Sequence, residues 1–154
     1  MSSVTSALSD VAASLSPDEL TKKVDEIKAA GNERFLKGDY TQAKALYTDA
    51  LSLNPNIVAI YSNRAICELK LEQYGLAIAD ATKAIELDAT FAKAYYRRAC
   101  AHLAILDPKA ALPDLKMVMK LDPRNAQVKM QLDATYKLVR RQEFENSNLL
   151  EDGP

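Results

Sequence analysis

Tryptophan is missing from this sequence, aromatic residues make up only 6% of it, and glycine (4) and proline (6) are scarce. Alternating β-branched stretches are missing too, while Ala-, Leu- and Lys-rich runs are long; this combination argues against a sheet and for an all-helical protein. No apolar run approaches the length of a bilayer span, and no basic segment followed by an apolar core marks a secretory signal at the N-terminus. The arginines of a mitochondrial presequence are also missing, so cytoplasm or nucleus is the expected compartment, with no membrane partner. Charge of one sign is lacking: 20 basic against 21 acidic residues leave a formal charge of −1. That balance excludes nucleic acid as an electrostatic partner of the whole molecule. Any anion site must be a local concentration of charge.

The residues that carry chemistry are equally sparse. Cys67 and Cys100 each stand alone within helical patterns, without metal-ligand spacing, and read as small, reduced residues of an intracellular protein. His102 is the single histidine and has no neighbours in sequence with which to form a triad or a metal site. Neither a Gly-rich phosphate loop nor a nucleophile elbow is present. The expectation is a binding module, not an enzyme, with no cofactor of its own.

What is present is a repeat. The 154 residues suit one domain with a core of useful size. Residues 1–15 are rich in Ser and Ala, carry a weak apolar pattern (Val4, Leu8, Val11, Leu15) and are expected to be disordered. Order is expected from Ser16-Pro17-Asp18-Glu19, where Ser16 caps, Pro17 suits the first helical position and Glu19 completes a capping box. From there Ala43, Ala77 and Ala111 recur at a common step, as do Ala50, Ala84 and Val118, then Leu53, Leu87 and Leu121. Asn54, Asp88 and Asp122 keep the same interval, Tyr61 matches Tyr95, and Ala65 matches Ala99. The step is about 34 residues, the length of one helix–turn–helix unit. Helix pairs are expected at about 18–37 with 41–53, 57–70 with 74–87, and 91–104 with 109–121. A capping helix at about 125–146, with Val128, Leu132, Tyr136 and Val139 on one face, would cover the last pair. Pro113 is expected to kink or delay its helix. Residues 147–154 read as a polar tail or linker.

These positions resemble the tetratricopeptide repeat. The resemblance implies an all-α domain over residues 16–146, with three repeats at about 24–57, 58–91 and 92–125 in a right-handed superhelix. One departure is Arg34, which stands where the repeat expects an aromatic after Gly31; Phe35 follows it. In such a stack the first helices line a concave groove. Lys93 and Arg97 lie at i and i+4 on one helix face, where two cations repel by a few tenths of a kcal/mol; a bound anion would account for them. Asn63 is the counterpart of Arg97 one repeat earlier, and Lys28 and Asn32 share the i, i+4 spacing on the first helix. A solvated basic face is the ordinary fate of such a cluster.

The set Lys28, Asn32, Asn63, Lys93 and Arg97 resembles the two-carboxylate clamp of chaperone-binding tetratricopeptide domains. That resemblance implies a partner: the C-terminal Glu-Glu-Val-Asp tail of 90-kDa or 70-kDa heat-shock chaperones. Lys28, Asn32 and Asn63 would grip the terminal carboxylate, and Lys93 with Arg97 the last Asp side chain. Phe35 and Ile66, each one turn further on, would pack the peptide's Val. Lys70 and Arg98 either extend the basic rim or carry ordinary surface charge, the commoner fate of such residues. Tyr95-Tyr96-Arg97-Arg98-Ala99, Asp80-Ala81-Thr82-Lys83-Ala84-Ile85-Glu86-Leu87-Asp88 and the last helix (Val128-Lys129-Met130, Lys137-Leu138-Val139-Arg140-Arg141-Gln142-Glu143-Phe144) further resemble the N-terminal domain of type-5 serine/threonine protein phosphatases. In that family the domain docks the chaperone and covers the catalytic site, and chaperone or fatty-acid binding relieves the inhibition. The catalytic metal motifs, which would hold two metal ions, are not in this chain, so it would be an excised regulatory domain or a stand-alone adaptor. A repeat scaffold with an unrelated ligand is the third reading. Glu72, in Leu71-Glu72-Gln73-Tyr74, matches a family position facing the phosphatase's own catalytic domain, the second implied partner.

Overall fold

The computed structural model describes residues 2–151 and 153, with side chains from Ser6 onward. All regular structure among them is helical: α1 (Ser2–Ser14), α2 (Pro17–Leu36), α3 (Tyr40–Leu53), α4 (Val58–Lys70), α5 (Tyr74–Leu87), α6 (Ala92–Ala104), α7 (Pro108–Leu121) and α8 (Ala126–Glu151). Helices α2–α7 form three antiparallel pairs, each packed on the next, and α8 covers α7. Close approach within and between pairs is possible because alanines occupy the contacts: Ala43, Ala50, Ala65, Ala77, Ala84, Ala99 and Ala111 are all fully buried.

Each pair is built by the same local devices. Gly38, Glu72 and Leu106 occupy equivalent turn positions, with φ of 78°, 59° and 62°. At each, the next residue's N–H closes a six-residue bond back into the helix: Asp39 to the Arg34 carbonyl (3.0 Å), Gln73 to Glu68 (2.8 Å) and Asp107 to His102 (2.8 Å). This is the left-handed helix stop usually assigned to glycine; only the first repeat uses glycine, so Glu72 and Leu106 hold a strained conformation. The Tyr61 and Tyr95 hydroxyls likewise donate to the carbonyls of Pro55 and Ala89, both at 2.8 Å. Ser16 and Glu19 form the expected capping box.

Three sequence expectations need correction. Of residues 1–15, expected to be disordered, Ser2–Ser14 form α1, while Met1 lies outside the described residues; α1 docks on α3, with Leu8 and Ala12 against the first core cluster. Thirteen residues of helix are marginal in water, so α1 owes its order to the otherwise uncovered apolar end of the stack. The region 147–154 is not simply a tail, because α8 continues to Glu151. No helix breaker precedes Gly153, and an Arg141–Glu145 i,i+4 pair (3.0 Å) supports the extension. Pro113 does not delay its helix either. α7 starts at Pro108 under an Asp107 cap on the Ala110 N–H and continues through the exposed Pro113.

One buried polar group stands outside this regularity. Glu68 is 2% exposed, its Oε1 has no partner, and its Oε2 lies 3.6 Å from Lys44 Nζ. Its carboxyl is pushed up to about 8, first by burial and then by the hydrogen bond and charge of Asp80, against the opposing pull of Lys44 and Arg64. Asp80 itself is held by Arg64.

Two outcomes follow from this packing. Between the ordinary Glu value of 4.5 and about 8, the native state holds more protons than the unfolded chain. The stability Glu68 contributes is therefore complete below the lower value and is lost as pH rises through the upper one. Glu68→Gln is expected to flatten the stability–pH curve and to raise stability in mild alkali by about 1–3 kcal/mol in chemical denaturation; an unchanged slope would count against it. The second concerns Gly31, where a Cβ would stand 2.8 Å from Cε1 of the buried Tyr47 ring. Alanine gains about 1 kcal/mol of helix propensity, but the clash costs about 1–3 kcal/mol. Gly31→Ala should therefore destabilise on balance, measured as a lower denaturation midpoint.

Candidate binding groove

The first helices of the three pairs, α2, α4 and α6, present their inner faces to a shared concavity, and α4 packs directly on α6. Asn32 and Asn63 approach each other there, with Asn63 Nδ2 donating to Asn32 Oδ1 at 3.5 Å. With Arg97, Phe35 and Ile66 they line one cavity of about 220 Å³. Arg97 and Ile66 also line a second, larger cavity of about 390 Å³, walled further by Lys70, Lys93, Tyr96 and Cys100. Lys93 and Tyr96 in turn border a third cleft of about 350 Å³ between α6 and the start of α8. Lys28 is half-buried one turn before Asn32 but lines none of these cavities. Glu72 lies apart from them, exposed in its turn.

The electrostatics single out one of these side chains. Arg64 and Arg98 point away from the groove into bidentate bonds, Arg64 to Asp80 (2.6 and 2.6 Å) and Arg98 to Asp114 (2.9 and 2.7 Å). Their hydrogen-bonded aspartates hold both guanidiniums above the ordinary arginine value. Arg98 is thus a structural ion pair and not the rim cation that its sequence context implied. Arg97 behaves in the opposite way. Burial pulls its guanidinium below the ordinary value, and no carboxylate among the described residues lies within ion-pair distance. It donates to the hydroxyl of Ser62, which is itself fully buried. Lys28 and Lys93 have no ion-pair partner among the described residues either. A desolvated cation without a counter-charge is costly, and the amide nitrogens beside it add donors without adding charge. Chemically, such an arrangement suits an oxygen anion.

Two groove residues were not anticipated from the sequence. Ser62 anchors Arg97, and Tyr47 reaches from α3 under Gly31 to donate its hydroxyl to Asn32 Oδ1 at 2.5 Å. Burial pushes the Tyr47 phenol up to about 12, so it remains a donor at neutral pH. A signal for Tyr47 did exist: its counterparts one and two repeats on are the apolar Ala81 and Leu115. The Cys67 thiol is pushed up to about 11 by burial, and that of Cys100 is also raised, which keeps both protonated. Among the described residues no cluster of His, Cys, Asp and Glu would hold a metal ion, and no helix is long and apolar enough to cross a membrane.

The tetratricopeptide repeat model matches residues 29–57 and 58–91. The chain is 46% identical over 128 residues to serine/threonine-protein phosphatase T of Aspergillus oryzae, covering 83% of this chain and 27% of that protein. It is 38% identical over 130 residues to human serine/threonine-protein phosphatase 5, covering 84% and 26%. The chain thus spans about a quarter of the length of these relatives. Among solved structures, the first repeat domain of Spaghetti (RPAP3), bound to the HSP90 peptide SRMEEVD, superposes with a TM-score of 0.75 at 28% identity, covering 77% of this chain and 94% of that one. The TPR2B domain of yeast Sti1, in complex with pHsp70, superposes at 0.69 with 34% identity, covering 79% and 98%. With its period, its paired helices and these relatives, the chain belongs to the tetratricopeptide repeat family and is homologous to the repeat region of phosphatases 5 and T.

Proposed function

We propose that the groove binds the acidic C-terminal tail of heat-shock chaperones of the 90-kDa class, and also of the 70-kDa class, as a carboxylate clamp. The observation that carries this reading is Arg97, half-buried and without a carboxylate partner among the described residues, on the wall between two cavities. Solved relatives that hold an HSP90 peptide or pHsp70 support it. In this reading the amides of Asn32 and Asn63, with Lys28 beside them, meet the terminal carboxylate, and Lys93 and Arg97 meet the last Asp side chain. Phe35 and Ile66 supply apolar contact in the smaller cavity, and Lys70 adds charge to the larger. Each charge-assisted bond contributes roughly 1.5–3 kcal/mol before the cost of ordering the tail, which places the affinity at about micromolar.

The homology to phosphatases 5 and T extends the proposal. The domain would dock a linked serine/threonine phosphatase on the chaperone and restrain it until docking, in the cytoplasm or the nucleus. Two metal ions would belong to that catalytic domain and not to this chain. Glu72 is the residue proposed to face the catalytic domain, and its exposed, left-handed turn makes it available. A stand-alone adaptor between a chaperone and another client is the alternative; the superposition on the TPR2B domain of yeast Sti1, solved in complex with pHsp70, is compatible with it.

Calorimetry with a peptide ending Glu-Glu-Val-Asp tests the clamp. Lys93→Ala, Arg97→Ala or amidation of the peptide's C-terminus is expected to weaken binding about tenfold or more, and added salt to weaken it further. Affinity unchanged by all three would remove the carboxylate reading. The regulatory part is tested on a full-length chain that carries a phosphatase domain. There the peptide should raise phosphatase activity, and Glu72→Ala should raise the basal rate. A basal rate equal to that of the isolated catalytic domain would remove the restraint.

A further inference from the structure

We infer that Tyr47 is a positioning residue of the groove: its hydroxyl holds Asn32 Oδ1, and so turns the Asn32 amide nitrogen toward an incoming carboxylate. The inference rests on the carboxylate reading above. Tyr47 belongs to α3, the outer helix of its pair, and is 1% exposed. Its ring is pressed against Gly31, which leaves it no freedom to withdraw. Two donors converge on one terminal atom of Asn32, the Tyr47 hydroxyl at 2.5 Å and Asn63 Nδ2 at 3.5 Å. Only an oxygen accepts from both. Arg97 shares the small cavity with the phenol, and a nearby cation favours the phenol's lone pairs, which turns its proton away, toward Asn32.

With its oxygen engaged by Tyr47 and Asn63, Asn32 keeps both N–H bonds of its amide for a ligand oxygen in the cavity that all three line. An unrestrained asparagine would sample the reverse orientation as well, in which its carbonyl faces the ligand's carboxylate and repels it. The hydroxyl removes that orientation before the ligand arrives, which is preorganisation of a binding donor. A buried phenol satisfying itself on a convenient acceptor would produce the same contact, so the test must separate the two roles.

Tyr47→Phe keeps the ring over Gly31 and deletes only the hydroxyl. The full chain and this variant are titrated with one Glu-Glu-Val-Asp-terminated peptide in two forms, free acid and C-terminal amide. The variant is expected to bind the free acid roughly 3- to 10-fold more weakly and the amide unchanged, so that the acid-to-amide preference shrinks. A wild type that prefers the acid beside a variant that prefers it equally overturns the positioning role alone. So does an equal loss for both peptides, which is what a merely structural hydroxyl would give. A wild type that binds acid and amide alike overturns the carboxylate reading and the positioning role together. A second measurement needs neither variant nor ligand: the Tyr47 hydroxyl proton should be slow to exchange in the NMR spectrum and close in space to the Asn32 side chain. A rapidly exchanging hydroxyl overturns the inference.

Discussion

The bidentate bond between a first-helix arginine and the aspartate 16 residues further on governs the geometry of the last two repeats. Arg64 to Asp80 and Arg98 to Asp114 each tie the two helices of a pair. The remaining N–H of each arginine reaches back to the preceding pair, to Thr48 and to Thr82. A planar guanidinium held on both sides fixes the rotation of its helix about its own axis. Once that rotation is set, the residue before each arginine is turned about 100° from it around the helix, onto a different face. Asn63 and Arg97 stand in the groove because Arg64 and Arg98 cannot. The same bond thus stabilises the stack and aims its binding face.

The fold was legible because its cause is periodic. Alanines at fixed intervals mark where helices touch, and any chain that buries them must pair and stack its helices alike. What escaped the sequence was not periodic. α1 carries no repeat, and its weak stripe of Leu8 and Ala12 becomes order only through the surface it covers. The extension of α8 beyond its packed part was hidden for a different reason: from Arg140 to Glu151 the helix is exposed throughout, so no burial pattern marks where it ends. Arg98 was misread because charge in sequence does not reveal its partner. Asp114 meets it only after α6 and α7 fold together.

The groove divides along the same line. Asn32, Asn63, Lys93 and Arg97 were readable from spacing, and three of them line a single cavity. Lys28 was readable too, yet it lines none of the cavities, because one helical turn carries it away from the Asn32–Asn63 contact. The roles of the Tyr47 and Ser62 hydroxyls were hard to read for a chemical reason, the one trace being the contrast of Tyr47 with its apolar counterparts Ala81 and Leu115. Tyrosine and serine are ordinary in helices, and only their distances to Asn32 and Arg97 reveal a task. A first layer of ligand-facing donors leaves a pattern in sequence; the groups that steady those donors leave almost none.

Charge balance explains how a slightly acidic chain keeps a receptive cationic groove. Three acids buried beside the groove helices are already engaged: Asp80 and Asp114 by arginine, and Glu68 by a proton that its burial favours; Asp122 borders only the cleft it shares with Lys93. Asp18, Asp25 and Glu26 are exposed on α2 and border a shallow depression that shares no residue with the groove cavities. None of these carboxylates neutralises Arg97, which is left desolvated and supported only by the Ser62 hydroxyl. An internal acid beside Arg97 would steady the stack but would occupy the position a ligand carboxylate must take. In the proposed reading the unpaired cation is a local instability that a bound carboxylate would relieve, and stability alone would not select it.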